Sequence, residues 1–268
     1  MRFLFCIFYV LNLLGLKAQD LPVESKKFLD EFIVNNDVQM NLAEFSKYDF
    51  SRVWLQSQDA VVGFIGSDYQ RFRILFVSIV KNKCVENEYF VYGKSRVRGN
   101  ICTFQGRLII THVFKVNPTT EDLLLKEALK NGDIEVVNRL GKEKGYVLAK
   151  YSLYEDPKQV GAGCFKGVVK SNYYVDGDEL HFDNLELGSS DSFSNNLFVG
   201  VWQSYKTNLM KACNWGSFRI PNCGDLDVGI GEFYPNSKYK DHGWDDYFES
   251  EGSNDRDDRY IDNNKWWE

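Results

Sequence analysis

Phe165-Lys166-Gly167-Val168-Val169-Lys170-Ser171-Asn172-Tyr173-Tyr174-Val175-Asp176-Gly177-Asp178-Glu179-Leu180-His181-Phe182-Asp183-Asn184-Leu185 carries the clearest hairpin signal of the chain. Residues 165–175 and 179–185 are rich in aromatic and β-branched side chains, which suit a pleated, half-buried surface. The Asp176-Gly177 pair between them suits a tight type I′ turn. Working outward, residues 146–154 read as a preceding strand, and 197–207, 215–220 and 228–233 as following ones. Further upstream, 52–64, 71–81, 88–92 and 101–116 are strand-like runs with short turns between them, which predicts an antiparallel meander. On 71–81, Phe72, Ile74, Phe76 and Val80 share one face while Leu75, Val77 and Ile79 share the other, so the second half of this strand is expected to be covered on both sides.

A small pattern recurs as Phe104-Gln105-Gly106-Arg107-Leu108, Phe165-Lys166-Gly167-Val168-Val169 and Phe198-Val199-Gly200-Val201-Trp202. Glycine inside a strand relieves crowding where a sheet coils, and an aromatic two residues earlier is placed to cover the gap. The chain is therefore expected to be all-β: a single antiparallel barrel or closed, strongly coiled sheet of about eight to eleven strands. One external helix is expected over 119–131, with Thr119 as N-cap, and a helical leader over 20–50 with helices at 24–33 and 42–45. The expected organisation is a signal peptide at 1–19, the leader at 20–50, a barrel-like domain at 51–240 and a tail at 241–268.

The first residues bear on location. Met1-Arg2 is followed by an apolar run from Phe3 to Leu16, and then by Lys17-Ala18-Gln19-Asp20, the three-part layout of a secretory signal. The run is too short for a comfortable membrane span, and no later one reaches spanning length. The chain has no Asn-x-Ser/Thr sequon, which favours a Gram-negative export route to the periplasm, cell surface or medium. The net charge of −6 is uneven: residues 241–268 hold ten acids against three bases, leaving the body near neutral. Neither part has the basic footprint of a nucleic-acid binder. The aromatics in the tail argue that part of it docks on the sheet.

The chemistry is sparse. His112 shares a strand face with Leu108 and Ile110 and is expected to point inward. There is no Gly-x-Ser-x-Gly, no zinc-like Cys/His spacing and no dinucleotide fingerprint, so no catalytic residue, metal or cofactor is expected. Aromatic and basic residues of 198–221 suit a barrel mouth, making Trp202, Tyr205, Trp215, Arg219 and His112 the candidate ligand-binding residues. The rival reading is a carboxylate-based hydrolase at Asp225, Asp227 and Glu232, with Asp225 and Asp227 on one face of a strand. A third is a structural cell-envelope protein whose interior is filled. Cys213 and Cys223 flank a turn-rich loop and are expected to be bridged over Trp215.

Gly200-Val201-Trp202 resembles the entry motif of lipocalins, where the Trp closes one barrel end. In lipocalins the motif opens the domain and here it lies near the end, so the likeness implies a calycin-like sheet at most. The runs Val62-Gly63-Phe64-Ile65-Gly66, Asn100-Ile101-Cys102-Thr103-Phe104-Gln105-Gly106, Tyr154-Glu155-Asp156 and Cys213-Asn214-Trp215-Gly216 resemble an uncharacterised family of exported Gram-negative bacterial proteins. That likeness implies an exported single domain and carries no activity. The expected function is a non-enzymatic binding module for a small apolar or carbohydrate ligand.

Overall fold

The computed structural model describes residues 21–33, 37–55, 61–116, 126, 129–132, 137, 142–184, 193–249 and 266–267. The leader forms α1 (Val23–Ile33), α2 (Leu42–Phe45) and α3 (Ser51–Leu55). The strands are β1 (Val38–Gln39), β2 (Val61–Ile65), β3 (Gln70–Lys81), β4 (Glu88–Val97), β5 (Asn100–Lys115), β6 (Glu143–Glu155), β7 (Gly163–Asp176), β8 (Glu179–Phe182), β9 (Asn195–Ser204) and β10 (Met210–Ser217). From β2 to β7 each strand pairs antiparallel with the next. β9 then returns along β7, β10 along β9, and β10 pairs with β2. The hydrogen bonding thus closes into a ring, the arrangement that removes free sheet edges. β1 and β8 lie off the ring, paired with β5 and β7. The signal region, and most of the expected 119–131 helix, lie outside the described residues; Lys126 and 129–131 are helical.

Alternation sends every second side chain inward. Phe72, Phe76, Phe104, Phe165, Phe198 and Trp215 meet there and are all buried. Trp215 stacks on Phe198 with centroids 4.5 Å apart. Beside Trp54, Phe76 and Trp215 the remaining void is about 10 Å³, so this part of the interior is a packed core. Tyr151 from β6 lies over the facing glycines Gly167 and Gly200: an added Cβ would come within 2.6 Å and 2.2 Å of its Oη. Phe104 covers Gly93 in the same way. The ring over Gly93 and over Gly167 therefore comes from the neighbouring strand, not from two residues earlier on its own, and the same Tyr151 reaches past β7 to Gly200, whereas Gly106 faces the backbone of Ser152 and Leu153 and no ring.

α3 plugs one end of the ring. Its Trp54 is buried and donates from Nε1 to Ser171 Oγ at 3.1 Å, and Phe50 N donates to Tyr89 Oη at 3.1 Å. Residues 52–55, expected to begin a strand, are thus helical, and the strand starts at Val61. α1 lays Phe28 and Leu29 on the outward residues Phe114, Tyr146, Val168 and Val199. Outside β2, Val62 and Phe64 are covered by Ile220, Leu226, Phe233, Trp244 and Tyr247. The start of the acidic tail does dock, and Trp244 is wholly buried. Among the described residues no helix is long and apolar enough to cross a membrane.

Two bulges overturn face assignments made from strict alternation. One lies between Phe76 and Ser78 on β3. It turns Ile79 inward and leaves Val77 and Val80 at 51% and 59% exposure, so the strand is not covered on both sides there. The β7–β8 turn also differs. Asp176 pairs with Glu179, and of Gly177 and Asp178 only the glycine has positive φ, 62°, which fits type II′ and not I′. Residues 228–233 form a loop instead of a strand.

Candidate functional site

The short connections 66–69, 98–99, 156–162 and 205–209 gather at the end of the ring opposite α3. The aromatic core stops short of them and leaves a cavity of about 440 Å³, within the size range of small-molecule sites. Its buried floor includes Glu155, Ser95, Cys102 and Phe165. Ile65, Val97 and Trp202 form walls, and the rim carries Asp68, Arg98, Asn100, Val160 and Lys211.

Glu155 is the last inward residue of β6, after Tyr151 and Leu153. It is 5% exposed, which a carboxylate tolerates only when hydrogen-bonded. Ser95 Oγ on β4 donates to Oε1, while Gly163 N on β7 and Trp202 Nε1 on β9 donate to Oε2 at 2.7 Å and 3.0 Å. Burial pushes its pKa above the ordinary glutamate value, and the Ser95, Trp202 and Gly163 donors pull the other way. Burial, with the Glu155 charge second, pushes the Cys102 thiol up to about 11, so it is a poor nucleophile at neutral pH. Trp202 lies over Gly163, where a Cβ would sit 2.5 Å from indole Cε2. The glycine therefore makes room for the indole and supplies the one backbone amide to Glu155.

Arg98 sits at the tip of the β4–β5 hairpin with φ of 54°, a conformation that strains a non-glycine residue. Arg96 Nε donates to its carbonyl at 2.8 Å, and its own Nε donates to Gln70 Oε1 at 2.7 Å. Gln70 Nε2 donates onward to His242 O, joining the rim to the docked C-terminal segment.

Of the expected binding residues, the structure brings only Trp202 to this cavity. Tyr205 is exposed on the adjoining β9–β10 turn and is not in the lining. Trp215 belongs to the packed interior. Arg219 lies in the outer loop, where it pairs with Asp227 at 2.6 Å and donates to the carbonyls of Gly229, Ile230 and Gly231. His112 does not point inward: the second bulge, between Ile110 and His112, turns Val113 to the core, while His112 stacks on the outward Phe114.

Two of the three acids of the rival reading are used by the fold. Asp227 holds Arg219 and the amides of Gly229 and Tyr234. Asp225 pairs with Lys238 and Tyr239 Oη, and Glu232 is exposed. Asp225 and Asp227 share a loop and not a strand face. The Cys213–Cys223 bridge is absent: both thiols are free. Cys213 faces the interior while Cys223 packs against the outer cluster, so the sheet wall separates them.

Glu155, Ser95, Arg98 and Lys211 were not singled out from sequence. One signal was available for Glu155, an acid in phase with the inward positions Tyr151 and Leu153. No protein-family model, no curated protein and no solved structure matches this chain, so function is read from the site itself.

Proposed function

We propose that the protein is a non-enzymatic binding module that holds a small ligand, carbohydrate in class, in the mouth cavity and not in the ring interior. The observation that carries this reading is the 440 Å³ space with Trp202 and the hydrogen-bonded Glu155 on one side and exposed polar side chains at its rim. An indole and a phenyl ring offer flat apolar surface to the C–H face of a sugar, while Asn100, Gln70 and Glu155 supply donors and acceptors for hydroxyls. The aromatic packing below leaves no channel for a long chain, which disfavours an extended lipid. Asp225 and Asp227 are occupied by internal partners and Glu232 stands apart on the surface, which removes the main support for a hydrolase centred there. The apolar leader at Phe3–Leu16 supports export of the module, testable by N-terminal sequencing of the mature chain.

A thermal-shift screen against glycans and lipids tests the binding reading. A ligand at a hundred times its Kd that binds only the folded state adds about 2.7 kcal/mol to stability. Val160→Trp enlarges an 84%-exposed rim side chain and should block the mouth without disturbing the core. The expected result is a shift with one ligand class that Val160→Trp abolishes. No shift with any ligand, or one indifferent to Val160→Trp, would overturn the reading.

A further inference from the structure

From the charge at the rim we infer that the mouth selects an acidic sugar, a hydroxylated ring bearing one carboxylate, with that carboxylate held between Arg98 and Lys211. The inference rests on the binding reading above and adds the charge of the ligand. Lys211 has no ion-pair partner among the described residues, and Arg98 spends Nε on Gln70 while its two Nη atoms have no partner there. Both are exposed and both line the cavity. Against them the lining sets one exposed carboxylate, Asp68. The mouth therefore carries an excess of exposed cations on a chain whose net charge is −6.

The second carboxyl of the lining, Glu155, already accepts three hydrogen bonds at the floor. Its burial also favours the neutral form, so it is no strong counter-charge for a cationic ligand. Its remaining lone pairs suit a sugar hydroxyl. A fatty acid would satisfy the same two cations, but its chain has nowhere to go past Phe165 and the rings beneath it. A compact ring with its charge at the rim fits both the cations and the depth. The backbone strain at Arg98, held by Arg96 and Gln70, is consistent with a side chain kept in place for a ligand.

Isothermal titration of the full chain with glucuronate, glucose and glucosamine at low salt tests the inference. Glucuronate should bind at least about tenfold more tightly than glucose, and glucosamine more weakly than either. The double variant Arg98→Gln/Lys211→Gln, whose exposed positions leave the core untouched, should bring the glucuronate-to-glucose ratio close to one. Equal affinity for glucuronate and glucose, or preference for glucosamine, would overturn the charge assignment and leave the binding reading standing. An unchanged ratio in the double variant would also overturn it. If no sugar binds but an apolar ligand gives a shift that Val160→Trp abolishes, the sugar assignment falls alone; if nothing binds, both fall.

Discussion

Glu155 shows how one residue ties together strands far apart in sequence. Its donors come from β4, β7 and β9, and each bond is charge-assisted when the carboxylate is ionised. Glu155→Gln replaces one acceptor oxygen by an NH₂ that must face an existing donor. The expected loss is about 1–3 kcal/mol of unfolding free energy, measured by urea denaturation. The pH dependence has a definite sign. Burial raises the Glu155 pKa in the folded chain, so just above the ordinary glutamate value the native state holds more protons than the unfolded one. The contribution of this group is complete below the unfolded pKa and declines as pH rises through the folded one. The stability gap between the native chain and Glu155→Gln should therefore narrow as pH rises above the ordinary glutamate value. A gap that widens over that range would contradict the burial argument. At this scale Trp202 was legible from sequence as an aromatic on a strand near the mouth, whereas Glu155 was not, because its meaning depends on donors that alternation does not reveal.

At the level of elements, the facing glycines of β7 and β9 decide whether Tyr151 can lie flat against the sheet. A Cβ at Gly200 would stand 2.2 Å from Tyr151 Oη and 2.3 Å from the Lys166 carbonyl. The carbonyl belongs to the ladder and cannot swing away as a side-chain tip can. Gly200→Ala should cost about 1–3 kcal/mol, read from the shift in denaturation midpoint. Gly99→Ala, at a hairpin tip with no atom within 4 Å of the new Cβ, should stay within about 0.5 kcal/mol of the native chain. Similar losses at both positions would remove the packing explanation. The three Phe-x-Gly runs marked glycines where a Cβ has no room, yet not what stands over them: Tyr151 at Gly167 and Gly200, the backbone of Ser152 and Leu153 at Gly106. Likewise the strands at Gln70–Lys81 and Asn100–Lys115 were legible as strands, but each contains a bulge. One unpaired residue exchanges the two faces beyond it, which is why His112, Ile79 and Val80 lie where simple alternation does not put them.

Over the whole molecule, the ring has an inner core and outer layers, and the C-terminal segment is one of those layers. Trp244 is wholly buried, donates to Tyr69 O at 2.8 Å and lies under the Arg71 guanidinium at 5.2 Å. Without it, Val62 and Phe64 on the outer face of β2 lose cover. Trp244→Ala should cost about 3–5 kcal/mol and expose residues 218–249 to limited proteolysis before the ring itself is cut. Native-like melting and protease resistance would show that the segment is ornamental. Periodicity and composition were enough for a mostly antiparallel β protein, its meander, its leader helices and the docking of tail aromatics, since they report how much of each segment must leave water. Only the tertiary structure decided that β10 meets β2, that rings fill the interior while the opposite mouth stays open, and that Glu155 rather than the acids at 225–232 sits at the cavity. The physical reason is that alternation tells a side chain's face but not what stands opposite it. The donors that make a buried carboxylate tolerable, and the cations left without an ion pair among the described residues at a rim, are set by strands brought together from across the chain.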